Sequence, residues 1–223
     1  MHGFKDVDAD TLSTYAATAS KWTQRLVLAI ASQMRWELIS ADVSSAFIRG
    51  LTFSEMSKLT GKEIRSASFS PPKGCEDVIR KLPGFEGYDP TQHEIVMLKP
   101  IYWSMDAPRA WRVRLHQALT QLQGKSLACD SALYAWYHDA DSSGKPRLCL
   151  ICSAHVDDLK IAGTPAAITR LLAGLEAVFG ALAVQRGKFE HCGIMHEQHA
   201  DFSITMHQNH YAKNLFAIPT TDV

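Results

Sequence analysis

Two apolar runs, Leu148-Cys149-Leu150-Ile151-Cys152 and Leu159-Lys160-Ile161-Ala162, flank the tetrapeptide His155-Val156-Asp157-Asp158. Runs this short and this apolar read as buried strands, and the few residues between them allow only a short turn. The chain must therefore fold around a hairpin whose tip holds two adjacent carboxylates. Neighbouring carboxylates beside a core repel each other and resist losing water unless a cation holds them. A solvated polar turn is one reading of the tip. The other is a divalent metal site, because hard oxygen ligands suit Mg²⁺.

The remaining pattern mixes helices and strands. Ser20–Gln33 reads as a helix with Trp22, Leu26, Ala29, Ile30 and Gln33 near one face, followed by a strand over Trp36–Val43. Phe53–Tyr88 is irregular, broken by Pro71-Pro72-Lys73-Gly74 and Pro83-Gly84 into loops with short elements, and His93–Leu98 suggests a strand. The next helix is announced by Asp106 as cap and Pro108 in the first turn; Trp111, Leu115, Ala118, Leu119 and Leu122 line it until Gly124. Thr164-Pro165 opens another, with Ile168, Leu171, Leu172, Leu175 and Phe179 inward and Gly180 as terminator. Lys188–Ile194 and Phe202–Met206 suggest a final hairpin. The class is α+β, with an antiparallel sheet backed by helices as the simplest solution.

Composition narrows the function. The 223 residues carry 23 Lys+Arg against 23 Asp+Glu and are 46% hydrophobic, which excludes long disorder and a disulfide-dense mini-protein. Zero net charge gives no long-range pull toward a polyanion, so nucleic acid would be met by a local basic patch or a bound metal. Arg109, Arg112 and Arg114 with Lys99 form such a neighbourhood, readable as phosphate contacts or as a solvated helix face. The longest apolar run, Leu26–Ala31, is too short to span a bilayer, and no basic-then-apolar leader precedes it. Five cysteines without an export signal favour reduced thiols inside a cell. Cys149 and Cys152, three apart on a strand, point to opposite faces and read as buried thiols. His191, Cys192, His196, His199, His207 and His210 crowd one stretch but match no standard zinc spacing.

Asp42 ends another strand-like run, Trp36-Glu37-Leu38-Ile39-Ser40-Ala41, and precedes Val43-Ser44-Ser45-Ala46-Phe47. Two strands of one sheet can bring Asp42 to the Asp157-Asp158 tip. Carboxylates so placed can bridge two Mg²⁺ ions about 3.5–4 Å apart, the clamp of a phosphoryl displacement.

With these residues in view, the chain resembles the reverse transcriptase domain of copia-type LTR retrotransposons. Asp42-Val43-Ser44-Ser45-Ala46-Phe47 is similar to the family's first catalytic motif, and His155–Gly163 to its Tyr-Val-Asp-Asp hairpin. Lys99-Pro100-Ile101-Tyr102 with Asp106-Ala107-Pro108-Arg109-Ala110-Trp111 resembles the segment ending in Ala-Pro-Arg-Ala-Trp. Phe189–Ile194 followed by Gln208-Asn209-His210-Tyr211 resembles the strand-and-tyrosine segment beyond the palm. The blocks span roughly residues 10–215 in the family's order. There are departures: His155 replaces Tyr, and Trp103-Ser104-Met105-Asp106 replaces Gly-Leu-Lys-Gln.

The resemblance implies a polymerase palm with partial fingers, an RNA-directed DNA polymerase working by two-metal nucleotidyl transfer. Residues 1–223 would be one such domain truncated at both ends, fingers and palm mainly 10–180, end of palm and start of thumb or connection 181–223. The family's basic strand would precede Gly3-Phe4-Lys5-Asp6, and the connection and ribonuclease H regions would follow Pro219. Asp42 and Asp157 would bridge two Mg²⁺ ions, for which Mn²⁺ is a substitute, with Asp158 in support and the Val43 carbonyl completing a coordination shell. Phe47 would lie against the sugar and exclude a 2′-hydroxyl, core packing being its other reading. Arg109, Arg112 and Lys160 would meet nucleic acid. Implied partners are an RNA or DNA template-primer, deoxynucleotides and the integrase and ribonuclease H regions of a polyprotein, with no membrane. The implied location is intracellular, in cytoplasmic virus-like particles. The rival reading is a non-catalytic, decayed element remnant that at most binds nucleic acid.

Overall fold

The computed structural model describes residues 8, 10–138 and 144–215. Gly3–Asp6, Pro219 and Val223, where the sequence places the two ends of the domain, lie outside the described residues. The chain divides into two compact units: one holds Phe47–Leu115 with the described residues up to Ala16, the other Ala17–Ala46 with His116 onward.

The second unit is built on a sheet of six antiparallel strands. β1 (Glu37–Asp42), β4 (Lys125–Leu127), β5 (Asp130–His138), β6 (Arg147–His155), β7 (Asp158–Gly163) and β8 (Ala183–Arg186) lie in the order β4-β5-β6-β7-β1-β8. A smaller sheet follows, β11-β10-β9, from β9 (Lys188–His191), β10 (Ile194–Gln198) and β11 (Ile204–His207). The final hairpin expected from sequence is thus a three-stranded meander. Helices α1 (Lys21–Met34) and α5 (Pro165–Phe179) both pack on β6 and β7. β6 and β7 are buried along nearly their whole length, which is why they read as continuous apolar runs rather than alternating ones.

α5 begins where the sequence puts it: Thr164 accepts the Ala167 amide, Pro165 follows, and Ile168, Leu171, Leu172, Leu175 and Phe179 are buried. α1 has the expected extent but not the expected face. Thr23, Val27, Leu28 and Ala31 are buried, while Trp22 is 66% and Leu26 43% exposed. Two contacts explain the rotation. The Thr23 hydroxyl donates to Asp130 Oδ2 at 2.6 Å, which draws that edge inward. The Trp22 ring stays outside beneath the charges of Lys21 and Arg25, 5.4 and 5.5 Å from its centre.

The first unit holds α2 (Phe53–Thr60), α3 (Glu76–Ile79) and a two-stranded ribbon of β2 (Ser68–Phe69) and β3 (Ile95–Val96). α2 lies in the stretch expected to hold loops with short elements. Its start is a capping box: Thr52 accepts the Glu55 amide while the Glu55 carboxylate accepts the Thr52 amide. α4 (Ala107–Gln121) begins in this unit and buries Ala107, Ala110, Trp111 and Leu115. Asp106 is not the expected side-chain cap among the described residues: Oδ1 has no hydrogen-bond partner there, and Oδ2 accepts Arg65 Nη1 at 2.7 Å. At the other end of α4 the left-handed residue is Gln123, at φ 68°. Gly124 serves a spatial need instead, since a Cβ there would meet the Trp136 indole at 2.5 Å.

Candidate active site

In an antiparallel sheet, residues in register share a face, with Cβ atoms roughly 4.5–5.5 Å apart. β1, β7 and β6 therefore present three cross-strand rows on one face. Leu38, Ala162 and Ile151 form the first; Ser40, Lys160 and Ser153 the second; Asp42, Asp158 and His155 the third. The first row lies in the core cluster with Val27, Leu28 and Ala31 of α1. Polarity thus rises along the strands until the last row is ionic. Asp157 occupies the turn beyond it, and its carbonyl accepts the Val43 amide at 3.2 Å, tying the turn to the end of β1.

The acids feel one another. Burial and then the charge of Asp157 raise the pKa of Asp42. Asp158 is raised by burial, then by Asp157 and Asp42, with His155 pulling the other way. For carboxylates raised in the folded state the sign is definite. The fold binds more protons than the unfolded chain between the ordinary and the raised pKa, so stability falls as pH rises through that window. At neutral pH the pair therefore opposes folding, and a divalent cation would relieve it. Among the described residues, however, no three Asp, Glu, His or Cys side chains are grouped so as to hold a metal ion by themselves.

The turn is strained. Val156 stands at φ 57°, a region that β-branched residues avoid. Such outliers cost of the order of 1–3 kcal/mol and concentrate at functional sites. Val156→Gly is accordingly expected to raise unfolding stability by about 1 kcal/mol in urea denaturation. A loss of stability would show that the valine side chain outweighs the backbone.

The other expected site residues are spread more widely. Val43 is fully buried. Phe47 follows in the first unit, half-buried and edge-on to Tyr102 with ring centres 5.2 Å apart. Arg109 is half-buried, its Nη1 donating to the Tyr15 carbonyl at 3.4 Å; Arg112 is half-buried as well. Lys160 differs from the two arginines in its burial. It is 1% exposed, and its ammonium donates to Gln24 Oε1 and His196 Nε2, both at 3.1 Å. So enclosed, its ammonium faces the interior of the second unit rather than the protein surface.

Sequence reasoning missed the interior cluster around that lysine. His191 and His196 are each 1% exposed, and burial lowers their pKa values to about 3 and about 4, helped by Lys160. His196 stacks on Phe189 at 5.3 Å, and among the described residues neither ring nitrogen of His191 has a hydrogen-bond partner. The available signal was a lysine inside an apolar strand with alternating histidines nearby. No family model matches the chain, and neither a curated protein nor a solved structure matches it.

Proposed function

We propose that the chain is a polymerase palm with partial fingers, an RNA-directed DNA polymerase domain of the copia type. The observation that supports this reading most is the register pair Asp42–Asp158 with Asp157 in the adjoining turn, acids from two distant segments at one end of one sheet. A family-like motif order and this convergence are independent of each other, because sequence order alone does not make strands neighbours.

The donor chemistry fits Mg²⁺: hard carboxylate oxygens, partly buried and mutually repelling. Asp42 and Asp157 would hold such ions, with Asp158 in support and the Val43 carbonyl as a further oxygen. Since the side chains form no closed ligand set, substrate oxygens would complete the shell. When bound, Mg²⁺ supplies the charge neutralisation and hydroxyl activation of phosphoryl transfer. The protein's own part is positioning. The β1–β7 pairing fixes Asp42 against Asp158, and the Val43 amide holds the turn that bears Asp157. Phe47 would face the sugar of the incoming nucleotide, with Arg109 and Arg112 near the template-primer phosphates.

The competing reading is a non-catalytic remnant that at most binds nucleic acid, favoured by the incomplete metal ligand set. Deoxynucleotide incorporation on an RNA template annealed to a DNA primer, with Mg²⁺ or Mn²⁺, separates the two. In that assay Phe47→Val is expected to raise ATP incorporation relative to dATP roughly tenfold or more, since steric discrimination of one small group is worth about 1–3 kcal/mol. Unchanged discrimination would assign Phe47 to packing on Tyr102 alone.

A further inference from the structure

One row inward from the acids, Lys160 opens onto a cavity of about 590 Å³ within the second unit. That volume lies within the range of small-molecule sites, roughly 300–1,000 Å³. Two of the three ammonium N–H groups of Lys160 are taken by Gln24 Oε1 and His196 Nε2. Both partners are neutral. His196 Nδ1 lies 2.9 Å from the Ile194 carbonyl oxygen, so Nδ1 bears the proton and Nε2 accepts. No carboxylate pairs with Lys160 among the described residues, and a buried cation without a counter-charge is costly.

The wall of the cavity suggests what supplies that charge. Lys21 and Arg25 of α1 line it together with Lys160 and His155, and no Asp or Glu does. His207 also lines it, but Glu197 already stands 3.5 Å from its Nε2. Leu28, Ile194 and Met206 supply an apolar part of the wall. Asp158, one row toward the strand end, is not part of the lining.

We propose that this cavity binds a small organic phosphate, with Lys160, Arg25 and Lys21 taking the phosphate oxygens and Leu28, Ile194 and Met206 receiving the uncharged body. Several oxygens on one dianion match several cations, and a guanidinium takes two of them at once. The site does not depend on the polymerase reading, since Asp42, Asp157 and Asp158 take no part in its lining.

Isothermal titration of the full chain with AMP and with inorganic phosphate tests it, in EDTA so that any divalent-cation site stays silent. Saturable AMP binding is expected, weakened at least tenfold by Lys160→Met. Methionine matches the lysine side chain out to Cε and removes the charge that lacks a counter-ion, so the variant is expected to fold. Arg25→Gln, at an exposed position, is expected to weaken binding several-fold and decides the matter should Lys160→Met fail to fold. Inorganic phosphate is expected to bind more weakly than AMP, and equal affinity would overturn the role of the apolar wall. No saturable binding, affinity unchanged in both variants, or binding of a single-stranded oligonucleotide but not of AMP would overturn the site.

Discussion

Replacing Asp157 by Asn is expected to lower Mg²⁺-dependent primer extension about 10²–10³-fold, the scale seen when one preorganised electrostatic group is removed from a reaction centre. Asparagine keeps the shape of the side chain and removes its charge. The backbone role of the residue, accepting the Val43 amide, does not involve the side chain and should survive. Folding should survive too, because the substitution removes the charge that raises both Asp42 and Asp158. A folded Asp157→Asn variant is thus the informative one: full extension by it would take Asp157 out of the chemistry. Circular dichroism and thermal unfolding check the fold.

The second large effect concerns the core beneath the site. Ile151→Ala is expected to destabilise the protein by about 2–5 kcal/mol in urea unfolding. Ile151 is 2% exposed and packs in the cluster with Val27, Leu28 and Ala31 of α1. Its cross-strand neighbours in register are Ala135 and Ala162, neither large enough to fill the cavity. That favours the upper half of the range. Leu26→Ala is the matched control, expected within about 0.5 kcal/mol of the parent because Leu26 is 43% exposed. Reversed magnitudes would restore the helix face expected from the sequence.

α1 illustrates how far the sequence is legible. Its period and its Ser20 start are local, so they can be read from the residues themselves. Its buried face is decided by partners far away, Asp130 drawing Thr23 inward and Trp22 finding its neighbours at the surface. α5 raised no such conflict, since its apolar stripe, cap and terminator agree. The start of α2 is legible too, since Thr52 and Glu55 stand at capping-box spacing, although the breakers that follow obscure it. β4 and β5 were not expected at all, although β5 places Leu133–Trp136 in the core. At the site, Asp42, Asp157 and Asp158 stood out as acids beside apolar strands, and their shared sheet end followed. Lys160 did not yield to the same logic. A lysine beside an acid pair suggests a nucleic-acid contact, whereas Lys160 lies one row inward from Asp158 on the same face, enclosed by Gln24 and His196.

The most direct measurement is thermal unfolding of the parent chain and of the Asp42→Asn/Asp158→Asn double variant, with and without Mg²⁺, from neutral pH down through the carboxylate range. Ionised Asp42 and Asp158 oppose folding at neutral pH, so Mg²⁺ should raise the Tm of the parent there; at about a hundredfold excess over Kd the gain is roughly 2.7 kcal/mol. The gain should fade as falling pH protonates the pair. The double variant should start from a higher Tm at neutral pH and gain nothing from Mg²⁺. A parent Tm indifferent to millimolar Mg²⁺ at neutral pH, or an equal response from the double variant, would contradict a divalent-cation site at these acids.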